Sequence, residues 1–325
     1  MDRSVTRLRE APSRSPNSSH VEGIEDSRRV VNRAAGIDVG GTKCLGVVLD
    51  ADRDITSEHD ILLQVRHATP RADKLVDALE VLVGELGDFD TIGVGVPGLI
   101  TLDGVMRASP NIPGSVDVAV GAELSRRLGR RVFIDNDGNL SALAEWRFGA
   151  GRGSTNMWMV TLGTGIGGGY VLNGAVQRGV NGFAGEVGHI VVNPDGPRCT
   201  CGRKGCWEVY ASGRGLKMLA AGESGESVIN RARAGEADAL TVLEAWSRWV
   251  AIGLASLTNV SDPDVIVIGG GVSEAADIVM PIVRRWFVES LYSPEQRQHP
   301  DLRVAQLGEH AGAIGAALMP QFSTE

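Results

Sequence analysis

Three glycine-rich turns, each delivered by an apolar run, constrain this 325-residue chain most. Ala34-Ala-Gly-Ile-Asp-Val leads into Gly40-Gly41-Thr42-Lys43. Asn156–Leu162 leads into Gly163-Thr164-Gly165-Ile-Gly167, and Asp264-Val-Ile-Val-Ile leads into Gly269-Gly270-Gly271. Buried strands ending on glycine, interleaved with helical periodicity, predict an α/β fold with mixed sheets. A turn without Cβ atoms lets a ligand approach the backbone N–H groups. The first turn adds the Thr42 hydroxyl, the Lys43 ammonium and, just before it, the Asp38 carboxylate. Phosphate oxygens take such donors, and a carboxylate beside them suits Mg²⁺ and its waters.

Two nucleotide-site patterns fail in context. Gly163-x-Gly165-x-x-Gly168 has the dinucleotide spacing, but Tyr170-Val-Leu follows as a second strand where a helix is required. Gly36 to Lys43 misses the P-loop spacing by one residue. Both turns therefore read as strand–turn–strand hairpins.

Cys199-Thr-Cys201-Gly-Arg-Lys-Gly-Cys206, with His189 ten residues upstream, offers three thiolates and an imidazole. That set matches a closed, tetrahedral Zn²⁺ site with a structural use; a disulfide or buried thiols are the alternatives. Glu186 and Glu208 flank the set, so the clip would position carboxylates. Asp135-Asn136-Asp137 ends a strand and opens a helix, where α/β folds present side chains to ligands. Asp137 can accept a hydroxyl proton, while capping the helix is its plainer role. Asn111, Asn136, Asp137, Glu186 and Glu208 make a polar set without basic residues, which suits a neutral polyhydroxyl ligand.

A net charge of −8 argues against general nucleic-acid or anionic-membrane binding. No apolar run reaches membrane-span length, and Cys44 stands apart from the other three cysteines, so a reducing cytoplasm fits. Residues 1–33 are polar, rich in Ser and Arg, and read as a disordered leader. Helices are expected over 74–86, 116–128, 139–148, 274–291 and 312–319, with a mostly helical stretch from the cysteines to about 260. Further strands are expected at 91–96, 131–134 and 302–307.

Together these motifs resemble the ROK family of sugar kinases and repressors, from Ala34 to about Met319. The resemblance rests on His189 with Cys199-x-Cys201-Gly-x-x-Gly-Cys206-x-Glu208, Asp38-x-Gly-Gly-Thr-Lys43, Leu162-Gly-Thr-Gly-x-Gly-Gly168 and Ile268-Gly-Gly-Gly-Val272. It implies an actin-like, hexokinase-type fold of two α/β lobes: 34–136 completed by a C-terminal helix 311–325, and 137–310 carrying the zinc loop. It implies ATP-dependent phosphorylation of glucose to glucose 6-phosphate, with Asp137 as general base. Asn111, Asn136, Glu186, His189 and Glu208 would hold the sugar. Asp38, Gly40, Gly41, Thr42, Lys43, Gly163, Thr164, Gly165, Gly167, Gly269, Gly270 and Gly271 would hold ATP. Mg²⁺ would be catalytic and Zn²⁺ structural, on His189, Cys199, Cys201 and Cys206.

Other hexoses are open as substrates (N-acetylmannosamine, N-acetylglucosamine, fructose, allose), and a homodimer or homotetramer is expected by the same resemblance. A sugar-sensing repressor is disfavoured, because 33 residues without two patterned helices precede the first phosphate motif. Two positions depart from the family pattern: Asp135 where Glu is common, and Gly138 where Ala is common, the latter expected to loosen the helix start.

Overall fold

The computed structural model describes residues 32–322. In chain order the first part runs β1 (Arg33–Val39), β2 (Lys43–Asp50), β3 (Ile61–Ala68), α1 (Leu75–Glu85) and β4 (Thr91–Val96). A small three-stranded sheet follows, β5 (Leu99–Ile100), β6 (Met106–Ala108) and β7 (Val116–Val118), then α2 (Val120–Leu128), β8 (Phe133–Asn136) and α3 (Asp137–Arg147).

The second part opens with β9 (Asn156–Leu162), β10 (Ile166–Leu172) and β11 (Ala175–Val176). Helices α4 (Trp207–Ala211), α5 (Gly213–Leu219), α6 (Gly225–Arg233) and α7 (Ala237–Ser261) come next. The chain then runs through β12 (Val265–Gly270), α8 (Ala276–Ser290), β13 (Asp301–Val304) and α9 (Ala311–Phe322).

Two five-stranded sheets repeat one plan. The first has the order β3-β2-β1-β4-β8 and the second β11-β10-β9-β12-β13. In each, the outer three strands are antiparallel and the next two pairings are parallel. The parallel strands are buried on both faces, which is why they read as continuous apolar runs.

The helices that close the two plans exchange places. Helix α3, after β8, packs on β9 and β10, whereas α9, after β13, packs on β1, β2 and β4. The two helices also pack on one another, and small residues set their separation: a Cβ on Gly315 would lie 1.9 Å from the Leu140 carbonyl oxygen. Buried Glu145 fastens the same joint, its carboxylate accepting from the N–H groups of Ala150, Gln306 and Leu307 at 2.8–2.9 Å. Burial raises its pKa, and the three backbone donors oppose that rise.

The second sheet packs on α7, which carries Leu243, Trp246, Val250 and Leu254 into a shared core. Trp207 is fully buried there and donates its Nε1–H to the Trp249 carbonyl at 2.7 Å. A large side chain so buried contributes about 1.5–3 kcal/mol.

Several expectations need correction. The helix expected over 116–128 starts only at Val120, because Val116–Val118 pairs with β6. The helix expected from Asn139 starts at Asp137, and the strand expected over 302–307 is Asp301–Val304. In place of one helix over 274–291, a 3₁₀ turn over Gly271–Ala275 precedes α8. Strand β3 was not expected: it is an outer strand with Leu62 and Leu63 exposed, so no clean alternation marks it. The expected leader lies outside the described residues except for its last two. Of these, Arg33 belongs to β1 and donates its backbone N–H to Asp90 Oδ2 at 2.8 Å.

Candidate active site

The β1–β2 and β9–β10 hairpins and the start of α3 meet around a cavity of about 280 Å³. Asp38, Gly41, Asn111, Asn136, Asp137, Gly163, Thr164, Gly165, Gly167, Glu186, His189, Glu208 and Gly270 all line it. Residues far apart in the chain, from five separate motifs, thus face one space.

The local geometry settles who caps α3. Asn136 Oδ1 accepts from the N–H groups of Gly138 (2.8 Å) and Asn139 (3.3 Å), and its Nδ2 donates to the Gly98 carbonyl (3.0 Å). Asn136 is therefore the N-cap, and Asp137 keeps only one short local contact, Oδ1 accepting from Gly138 at 3.0 Å. Half-buried Asp137 has its pKa raised to about 6, first by desolvation and then by the Glu186 charge, against the Gly138 N–H. Behind it, buried Asp135 accepts from Asn139 Nδ2 and pairs with Arg178.

Gly138 does not loosen this corner. A Cβ there would sit 2.6 Å from the Gly168 carbonyl oxygen, so glycine lets the helix start abut β10.

Asp38 is raised to about 7, by desolvation and the Asp137 charge, with Lys43 opposing. Its Oδ1 is buried and has no hydrogen-bond partner. An unsatisfied buried carboxylate oxygen next to a phosphate-type turn fits a divalent cation or its waters.

His189, Cys199, Cys201 and Cys206 converge, their ligand atoms lying within 4.8 Å of one another. Cys199 Sγ is 3.6 Å from His189 Nδ1, and Cys201 Sγ is 3.6 Å from Cys206 Sγ. The four are close enough for a tetrahedral N/S site, and the donor set is the one Zn²⁺ prefers. Immediately downstream, buried Glu208 accepts from the Ile166 N–H at 3.0 Å, and Glu186 Oε2 lies 3.9 Å from His189 Nε2.

A second cavity, about 680 Å³, opens alongside the first and shares Gly163, Thr164 and Arg214 with it. Leu216, Ile229, Trp246 and Val272 give it apolar walls, and Gly271 also lines it. Its size and mixed lining suit a nucleoside.

Gly40, Thr42, Lys43 and Gly269 line neither cavity. The Gly40 N–H closes the turn on the Lys43 carbonyl, and the carbonyls of Gly40 and Thr42 are taken by Thr69. Lys43 points away to an ion pair with Glu309, which Arg66 shares. Gly269 packs against Met159 and Ala305. Sequence reading missed Ser141, Thr161, Thr200 and Arg214 in the first cavity and Lys217, Glu226 and Asn230 in the second. Thr200 lies between Cys199 and Cys201, a signal that could have found it; the others stand in no glycine turn and beside no cysteine, although Arg214 follows Glu208 closely.

The sequence profile of the ROK family matches residues 34–321. The chain belongs to the ROK family. Among ROK relatives, a glucokinase of Streptomyces coelicolor is 34% identical over 308 residues, covering 87% of this chain and 95% of that protein. A xylose repressor of Bacillus subtilis is 31% identical over 290 residues, covering 87% of this chain and 75% of that one. The crystal structure of a ROK glucokinase from Streptomyces griseus, in complex with glucose and AMPPNP, superposes with a TM-score of 0.78 at 35% identity. It covers 88% of this chain and 98% of the other. The mixed sheets are the actin-like ROK arrangement that the motifs implied.

Proposed function

We propose that this ROK protein phosphorylates glucose with ATP, giving glucose 6-phosphate for glycolysis. The observation that carries the reading is the convergence of Asp137, a set of neutral-sugar contacts and two glycine hairpins on one cavity, beside a nucleoside-sized second cavity.

Phosphoryl transfer asks mainly for positioning and charge stabilisation. Asn111, Glu186, His189 and Glu208 would hold the sugar hydroxyls, with Asn136 keeping the start of α3 in place. Asp137 would take the proton of the attacking hydroxyl, and a pKa near 6 leaves it mostly ionised yet basic at neutral pH. The N–H groups of the Gly41 and Gly163–Gly167 turns would receive phosphate oxygens, and the adenosine would lie between α5, α6 and Gly271. Asp38 would hold Mg²⁺, which neutralises phosphate charge when bound. His189, Cys199, Cys201 and Cys206 would hold Zn²⁺, which fixes the segment that carries Glu208.

The exchange of α3 and α9 between the sheets supports two lobes, 34–136 with 311–325 and 137–310, that close on the substrates. Thiols in a ligand set fit the cytoplasm, and no described helix is long and apolar enough to cross a membrane. A homodimer or homotetramer follows from the resemblance alone.

An intact candidate base beside a nucleoside-sized cavity favours a kinase over a sugar sensor. The deciding experiment is an ADP-release assay with MgATP, using zinc-replete protein and a panel of glucose, N-acetylmannosamine, N-acetylglucosamine and fructose. Glucose with the highest kcat/KM supports the reading. An amino sugar in first place moves the substrate and leaves the chemistry, and no turnover on any sugar overturns the kinase.

A further inference from the structure

Four carboxylates line the central cavity, Asp38, Asp137, Glu186 and Glu208, and Arg214 is the one Lys or Arg among its described lining residues. Among the Asp, Glu, Lys and Arg side chains that line that space, Arg214 alone attracts a polyphosphate. Arg214 also lines the nucleoside-sized cavity, so it stands where the two join.

Its placement is fixed by backbone. Arg214 Nε donates to the Thr164 carbonyl at 2.7 Å, in the β9–β10 turn, and the next residue back, Gly213, donates its N–H to the Gly163 carbonyl at 2.7 Å. Arg214 Nη2 lies 3.7 Å from Glu208 Oε1, beyond hydrogen-bond length, and the side chain is half-exposed. With Nε engaged, the Nη donors form a planar fork suited to phosphate oxygens. Of the other nearby cations, Lys217 lines only the second cavity, and two more are committed elsewhere. Lys43 pairs with Glu309, and Arg233 makes a two-point contact with Asp277 and a third bond to the Glu274 carbonyl.

We propose that Arg214 is a catalytic residue of the transfer step: its guanidinium binds the terminal phosphates of the donor nucleotide as they pass from the nucleoside cavity into the sugar cavity. This rests on the kinase reading and goes beyond it by assigning a cation where the glycine turns present none to the cavity.

The test compares wild type with Arg214→Ala and Arg214→Lys, measuring affinity for AMP, MgADP and MgAMPPNP, affinity for glucose, and turnover. Arg214→Ala is expected to weaken MgAMPPNP by about 30-fold and to lower kcat on the order of 100-fold. AMP and glucose affinities stay within about twofold, and Arg214→Lys recovers part of the loss because charge returns without the fork. Equal weakening of AMP and MgAMPPNP would overturn the assignment, since Arg214 would then only shape the nucleoside cavity. Loss of glucose affinity in both variants would also overturn it, making Arg214 a support for Glu208. Wild type is scored first. Absence of wild-type turnover overturns the kinase reading and this with it, whereas an active wild type beside an equally active Arg214→Ala overturns the Arg214 assignment alone.

Discussion

The β1–β2 and β9–β10 hairpins hold equivalent places in two sheets of the same strand order, but they are anchored differently. The first turn is closed by its own backbone and by Thr69, just past β3, and of its four residues only Gly41 faces the cavity. Its cation, Lys43, is turned outward to Glu309. The second turn lies open to the cavity from Gly163 to Gly168 and is gripped from outside. Glu208, Gly213 and Arg214, all just past the cysteine cluster, hold Ile166, Gly163 and Thr164 respectively. A duplicated topology thus supplies two turns with a backbone bond of their own, the Gly163 N–H to the Gly165 carbonyl at 3.0 Å in the second, and only the second is also held from the segment past the cysteine cluster. Between them stands Asp137.

The largest effect should fall on what both hairpins serve. Asp137→Asn is expected to lower kcat by about 10³- to 10⁴-fold while glucose still binds. In wild type the pH profile should report the same group. Asp137 must be ionised to accept a proton, so kcat/KM should fall about tenfold per unit as pH drops below about 6. A flat profile between pH 5 and 7 would place the base elsewhere.

Next comes the dependence of the second hairpin on the clip. Cys201→Ser should abolish stoichiometric zinc, read by elemental analysis, and reduce activity at least about 100-fold. Full activity in zinc-free protein would mean that the β9–β10 turn holds itself.

A matched pair of glycine substitutions separates the turns more finely. A Cβ on Gly165 would lie 2.3 Å from Glu208 Oε2, whereas one on Gly41 meets nothing nearer than Asn111 Cβ at 4.0 Å. Gly165→Ala should raise the glucose KM roughly tenfold or more by displacing Glu208, and Gly41→Ala should leave it within about twofold. Equal effects would dissolve the distinction. The smallest change is expected for Lys43→Met, within about threefold in the ATP KM, because its charge is already spent on an exposed pair.

Much of the site was legible where chemistry needs fixed local spacing. The cysteines converge with His189, as the favoured reading of their spacing expected, and Asn111, Glu186 and Glu208 face the cavity with Asp137. Lys43 stands outside both cavities, because a motif reports which residue follows a turn, not the side to which its chain leaves; β2 carries it outward to an acid 266 residues away. Arg214 was invisible for the complementary reason. A lone arginine on a short helix carries no periodic or spacing signal, and only the packing of α5 against the β9–β10 turn gives it a position.

The same division runs through the fold. Apolar strands ending in glycine and the cysteine–histidine set were determined by sequence alone, since backbone approach and metal ligation admit few residue types. That α3 and α9 exchange sheets, that Asn136 and not Asp137 caps the helix, and that Arg214 lines the central cavity while Lys43 does not were decided by tertiary structure. Each of these is a choice among partners distant in the chain, and burial and hydrogen bonding make that choice only once the sheets have formed.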